Sequence, residues 1–133
     1  MAKVYGQGPV RIGAIADKQA IPPRFLENIL NELKSTGLIE SRRGAQGGYL
    51  LAKDPADVTV GDIIRLIDGP LDPVKCIGDK NTECCPLRGK CALIDLWNKA
   101  KAAIENVYDS TTLKDLVEKE NEINNNQIQN YCI

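Results

Sequence analysis

Leu38-Ile39-Glu40-Ser41-Arg42-Arg43-Gly44-Ala45-Gln46-Gly47-Gly48-Tyr49-Leu50-Leu51 is the stretch whose reading decides the fold. Two short runs able to form strands flank a glycine-rich turn, where positive φ carries no steric cost, and two arginines stand at its base. A small antiparallel hairpin with a basic tip is predicted. Its meaning depends on what precedes it. Ile12, Ile15 and Ala16 make an apolar stripe that predicts a short helix over about residues 11 to 18. A turn at Gln19 to Ile21 follows. Pro22 and Pro23 then open a second helix, at a position where a missing N–H costs nothing. Phe25, Leu26, Ile29, Leu30 and Leu33 are its expected buried face, and Gly37 is a good C-terminal cap. Two helices joined by a tight turn and followed at once by a basic hairpin predict a winged helix-turn-helix, whose second helix enters the major groove.

Downstream, Lys53-Asp54-Pro55 breaks the chain, and Thr59 is placed to cap a helix over about residues 60 to 67, packed through Val60, Ile63, Ile64 and Ile67. Asp68-Gly69-Pro70 ends it, and residues 71–90 read as a polar loop. From Cys91 a long helix is expected to about Tyr108, with Leu93, Leu96, Trp97, Ala100, Ala103, Ile104 and Val107 in one apolar stripe. Outside a small head domain such a stripe needs a partner. A second subunit would bury it and also pair two DNA-reading heads. Ser110 and Thr111 are candidate caps of a short closing helix built on Leu113, Leu116 and Val117, and the end from Asn121 to Ile133 is expected to fray, with Cys132 an isolated thiol. The fold class is therefore mainly α with a small β-wing. Residues 1–68 form the head, 69–90 a cysteine loop, 91–120 a dimerisation helix with its closing helix, and 121–133 a tail.

A chain of 133 residues suits one domain and buries a core without disulfides. No run approaches the roughly 18 apolar residues of a membrane span, and Met1 is not followed by a signal-peptide pattern. The expected compartment is the cytoplasm, with no membrane partner. Thiols stay reduced there, so clustered cysteines point to metal or redox chemistry. His is absent, which excludes Ser-His-Asp and Cys-His catalysis and His-ligated zinc, and no enzymatic activity is expected. The net charge of −1 hides an asymmetry: residues 1–53 carry net +4 and residues 54–133 net −5. Polyanion binding is thereby assigned to the first part.

Four of the five cysteines fall in one window, Cys76-x7-Cys84-Cys85-x5-Cys91, ahead of the helix with the only Trp. Thiolates are soft ligands suited to iron-sulfur clusters or zinc, and a 2Fe–2S or 4Fe–4S cluster normally takes about four protein ligands. Cys76, one of the adjacent pair Cys84 and Cys85, and Cys91 supply three. Candidates for the fourth are a carboxylate such as Asp95, a partner-subunit residue, a small thiol, or none. A zinc knot of all four cysteines lacks the usual paired C-x2-4-C spacing, and a metal-free dithiol switch is a further alternative. On the reading helix, Arg24, Glu27 and Asn28 lie on the exposed side near its start, where Arg suits guanine, Asn adenine and Glu cytosine. Arg43 and Gln46 on the wing are placed for the minor groove, while Arg42 and Lys18 are expected to touch phosphate.

Ile21-Pro22-Pro23-Arg24-Phe25-Leu26-Glu27-Asn28, then Gly37-Leu38-Ile39, the wing from Arg43 to Leu51, the cysteine window and Leu96-Trp97 together resemble the Rrf family of bacterial winged-helix transcriptional regulators. The resemblance covers about residues 2 to 120 and is to the IscR-like, iron-sulfur cluster-sensing members of the family. It implies a homodimer on double-stranded operator DNA, an iron-sulfur cluster held by three loop cysteines, and cluster-dependent repression or activation of iron-sulfur, iron, redox or nitric-oxide response genes. It also selects Cys85 over Cys84, because the spacing from Cys85 to Cys91 matches the family pattern. Two departures stand out. Members begin with a further helix, of which Ala2-Lys3-Val4-Tyr5 matches only the end, and the His that the IscR type places three residues after its last cysteine is Ile94 here. A regulator of the same fold without iron, controlled by thiol redox or a protein partner, is the alternative.

Overall fold

A computed structural model describes residues 1–78, 85–87 and 89–129. In chain order its elements are α1 (Ile12–Gln19), α2 (Pro23–Ser35), β1 (Ile39–Arg42), β2 (Gly48–Leu51), α3 (Val60–Ile67), α4 (Lys75–Gly78), α5 (Ile94–Asp109) and α6 (Leu113–Gln129), with single 3-10 turns at Ala2–Val4 and Pro55–Asp57. The architecture is mainly helical with one small antiparallel sheet, as the sequence predicts. The chain divides into two compact units, Met1–Val58 together with the segment from Thr112 onward, and Thr59–Thr111.

In the first unit, α1 ends where Ala20 turns left-handed at φ 51°, and Pro22 and Pro23 start α2. Leu26 and Leu30 of α2 are buried, together with Ala16, Leu38, Ile39, Leu51 and Val58. This is the core of the head. Phe25 is not part of it, being 60 % exposed. Successive helical residues are about 100° apart, so a face centred on Leu26, Leu30 and Leu33 leaves Phe25 on the flank. Gly37 leaves α2 at φ 73°, and β1 then pairs with β2 from Ile39 opposite Leu51 to Arg42 opposite Gly48. Val10 adds an isolated bridge on the outer side of β2, each of Val10 and Tyr49 donating its N–H to the other's carbonyl at 2.8 Å. A Cβ on Gly48 would run into the Val10 carbonyl, so the bridge demands glycine there.

The closing helix differs from expectation. Thr112, not Ser110 or Thr111, caps it: the Asp115 N–H donates to the Thr112 hydroxyl at 3.1 Å and the Thr112 N–H to the Asp115 carboxylate at 2.8 Å. Ser110 and Thr111 instead donate back to the Val107 carbonyl at the end of α5. The helix runs on to Gln129, well past residue 120 where fraying was expected. Asparagine is a mediocre helix former, but a capped first turn and the Lys3–Glu120 ion pair at 2.8 Å support the length behind it.

In the second unit, a capping box of Thr59 and Asp62 starts α3, which packs on α5. Arg65 grips Asp109 with both guanidinium nitrogens, at 2.7 and 2.8 Å, and a Cβ on Gly61 would strike that carboxylate. The short α4 interrupts what reads as loop, and α5 begins at Ile94 because Cys91 to Leu93 form a turn closed by the Ile94 N–H on the Cys91 carbonyl. Leu93, Leu96 and Val107 of the expected stripe remain exposed at 52, 55 and 58 %. Among the described residues no helix is long and apolar enough to cross a membrane.

Candidate nucleic-acid interface and cysteine site

The reading helix owes its presentation to the core beneath it. With Leu26 and Leu30 buried, the helical period turns Arg24, Glu27 and Asn28 outward, and all three are exposed. Arg42, Arg43 and Gln46 are exposed on the wing, where the Gly47 N–H closes the turn on the Gly44 carbonyl at 2.9 Å. Arg42 and Arg43 line one open concavity with Arg11, Asp17 and Tyr49, so basic groups gather between the start of α1 and the wing. Arg11 lines this concavity and Phe25 is exposed on the reading helix, although the sequence marked neither as a candidate contact. A lone Arg ahead of a helix carries no pattern, and Phe25 read as core. Lys18 is also exposed but lies in different company. The Lys3 ammonium holds the Glu120 carboxyl below the usual carboxylate range by a hydrogen bond, and the Lys18 charge adds to the effect.

In the second unit, Cys76, Cys85 and Cys91 are free thiols, and all three line a single cavity of about 210 Å³ with Leu87, Lys90 and Ile94. Three elements deliver them: α4 carries Cys76, the segment 85–87 carries Cys85, and Cys91 opens the turn into α5. Cys84 and Cys132 lie outside the described residues. Asp95 sits exposed on the first turn of α5 and does not line the cavity. Among the described residues no three His, Cys, Asp or Glu side chains are arranged to hold a metal ion. The donor set is nonetheless soft and convergent, with apolar walls, and suits iron-sulfur chemistry better than hard cations.

A charge pair fixes the segment that leads into α4. Lys101 of α5 donates to Asp72 at 2.6 Å, and the Asp72 side chain is only 11 % exposed. That bond, more than the surrounding charges, raises the Lys101 pKa. The same carboxylate lies where a Cβ on Gly78 would stand, two residues beyond Cys76. Asp72 therefore holds α4 to α5. Asp72→Ala is expected to speed alkylation of the half-buried Cys85 and Cys91, followed by mass spectrometry; unchanged rates would mean that the anchor does not set access to the thiols.

Residues 1–119 match the family described as "Rrf2: Iron-dependent Transcriptional regulator". The chain belongs to the Rrf2 family of transcriptional regulators. It is 38 % identical over 116 residues to the HTH-type transcriptional regulator CymR of Bacillus subtilis, covering 87 % of this chain and 78 % of that one. The solved structure of CymR, "the Global Cysteine Regulator of B. subtilis", superposes with a TM-score of 0.71 at 37 % identity, over 89 % of this chain and 84 % of that one. T. potens IscR superposes with a TM-score of 0.73, also at 37 % identity, over 92 % of this chain and 78 % of that one. The regulator thus stands beside relatives of both kinds, and its fold is that of the winged-helix Rrf2 regulators.

Proposed function

We propose that this regulator is a homodimer that binds double-stranded operator DNA under the control of an iron-sulfur cluster held by Cys76, Cys85 and Cys91. The observation that carries the reading is the meeting of these three free thiols in one cavity, in a chain of an iron-dependent regulator family. When bound, such a cluster supplies an iron centre open to oxygen or nitric oxide. The chain's part is to hold and tune it: Leu87 and Ile94 give the cavity apolar walls, and Lys90 brings a positive charge to a site of thiolates. The exposed Leu93, Leu96 and Val107 on α5 are the surface offered to a second subunit.

On DNA, Arg24, Glu27 and Asn28 read the major groove, Arg43 and Gln46 the minor groove, and Arg42 and Lys18 phosphate. Arg43→Ala and Glu27→Ala are each expected to weaken operator binding by about 1–3 kcal/mol without loss of folding, since both side chains are exposed on a packed scaffold. Equilibrium binding to a selected operator at fixed salt measures this. Full affinity in both variants would displace the reading head from this surface.

A second reading is favoured by the likeness to CymR. In it the thiols carry no iron and respond to redox state or to a protein partner. Anaerobic purification with iron and sulfide analysis separates the two: stoichiometric iron and sulfide support the cluster, and a colourless, iron-free protein that binds operator supports the thiol reading.

A further inference from the structure

We propose that Arg11 is the positioning residue of the wing, holding its tip in the shape that Arg43 and Gln46 need for the minor groove. This role rests on the minor-groove reading above and falls to a residue outside its contact set. Arg11 is the N-cap residue of α1, extended at φ −68° and ψ 143°, and its side chain gives α1 no cap bond. Its guanidinium points elsewhere. Nη2 donates to the Ala45 carbonyl at 2.7 Å, across 34 residues of sequence. Ala45 lies at the tip of the wing, one residue from Gln46 and two from Arg43.

The turn has little else to hold it. Residues 42–46 are all exposed, so side-chain burial contributes nothing to its shape. Inside the turn, Gly44 sits at φ 107°, and a Cβ on Gly47 would meet the Arg42 carbonyl, which leaves glycine at a tight crossing with no side chain to pack. Among the described residues, the Arg11 bond is the only side-chain hydrogen bond that reaches the tip. It acts beside the backbone bridge of Val10 with Tyr49, so two consecutive residues clamp the hairpin, Val10 on β2 next to the turn and Arg11 at the tip itself. A charged donor on a carbonyl is stronger than a neutral pair, and the guanidinium keeps further N–H groups free. Arg11 shares its concavity with Arg42 and Arg43. A direct phosphate contact is therefore the rival role, and salt dependence tells the two apart.

The experiment compares Arg11→Ala, Arg43→Ala, the double variant and the parent protein. In the free protein, amide exchange of Gly47 in Arg11→Ala is expected to rise about two- to tenfold, the effect of one net hydrogen bond, with the α2 amides and the melting temperature unchanged. Operator affinity should fall by a similar factor. That loss should vanish in the Arg43→Ala background, where the tip has nothing left to present, and the slope of log affinity against log salt should match the parent's. Unchanged Gly47 exchange overturns the proposal, as does a salt slope smaller by about one, which marks a lost phosphate contact. Should Arg43→Ala alone leave binding intact, the minor-groove reading fails, and with it the idea that Arg11 serves DNA binding by shaping the tip; the exchange result still states whether Arg11 holds the turn.

Discussion

Cluster-free protein and the Cys91→Ser variant are expected to bind one palindromic operator about 5–150-fold more weakly than cluster-loaded protein, a coupling of about 1–3 kcal/mol. The reason lies in which elements the thiols join. Cys76 rides on α4 and Cys91 leads into α5, so ligation by both ties the cysteine segment to the helix that offers Leu93, Leu96 and Val107 to a partner. In the proposed dimer, α5 would pair the subunits, and the two reading helices would have to stand about one turn of DNA, about 34 Å, apart. Without the ligated thiols, the Asp72–Lys101 pair still ties the segment leading into α4 to α5. Binding is to be measured anaerobically, on several operators and at several salt concentrations. Equal affinities for the three proteins would separate the cysteines from DNA binding and assign them another purpose.

Leu30→Ala is expected to lower the unfolding free energy by about 2–5 kcal/mol. Leu30 is 1 % exposed on the inner side of α2, among the most enclosed side chains of the head with Ile39 and Val58. Truncation removes its apolar surface from burial and leaves a void under the helix that carries Arg24, Glu27 and Asn28. A shift of the urea midpoint at constant slope would report it. Phe25→Ala is the internal contrast, because that ring is largely exposed and leaves no cavity behind. If both variants lose equal stability, the assignment of the α2 core to Leu26 and Leu30 is wrong.

The phenylalanine and leucine positions of α2 also indicate what one chain's pattern can and cannot convey. Glycine and proline punctuation located α2, the hairpin and α3 almost to the residue, since backbone conformation at Pro23, Gly37 and Gly48 depends on the residue itself. Apolar spacing was less decisive. It identified α2 as amphipathic but assigned Phe25 to the wrong side, because a stripe of five apolar residues is wider than the face the head can cover. The length of α6 was hidden for a different reason: its support comes from Thr112 and from Lys3, more than a hundred residues away, and local propensity carries no trace of that ion pair. The choice of Cys85 over Cys84 came from the family's spacing to Cys91 and not from the residues alone; Cys85 lines the cavity, and Cys84 falls outside the described residues. Arg11 could not be found by pattern at all. Its partner is a backbone carbonyl, which any residue at position 45 would supply.

The pair of 2.8 Å bonds between Val10 and Tyr49 has a kinetic consequence. A hairpin stitched to the segment that leads into α1 is already in place when the head meets DNA, so encounter need not wait for the hairpin to form. Association should then be governed by electrostatic attraction between the basic first half of the chain and the phosphates, fast at low ionic strength and slowing as salt is added. Good and poor operators should be captured at similar rates, and selectivity should reside in how long the regulator stays.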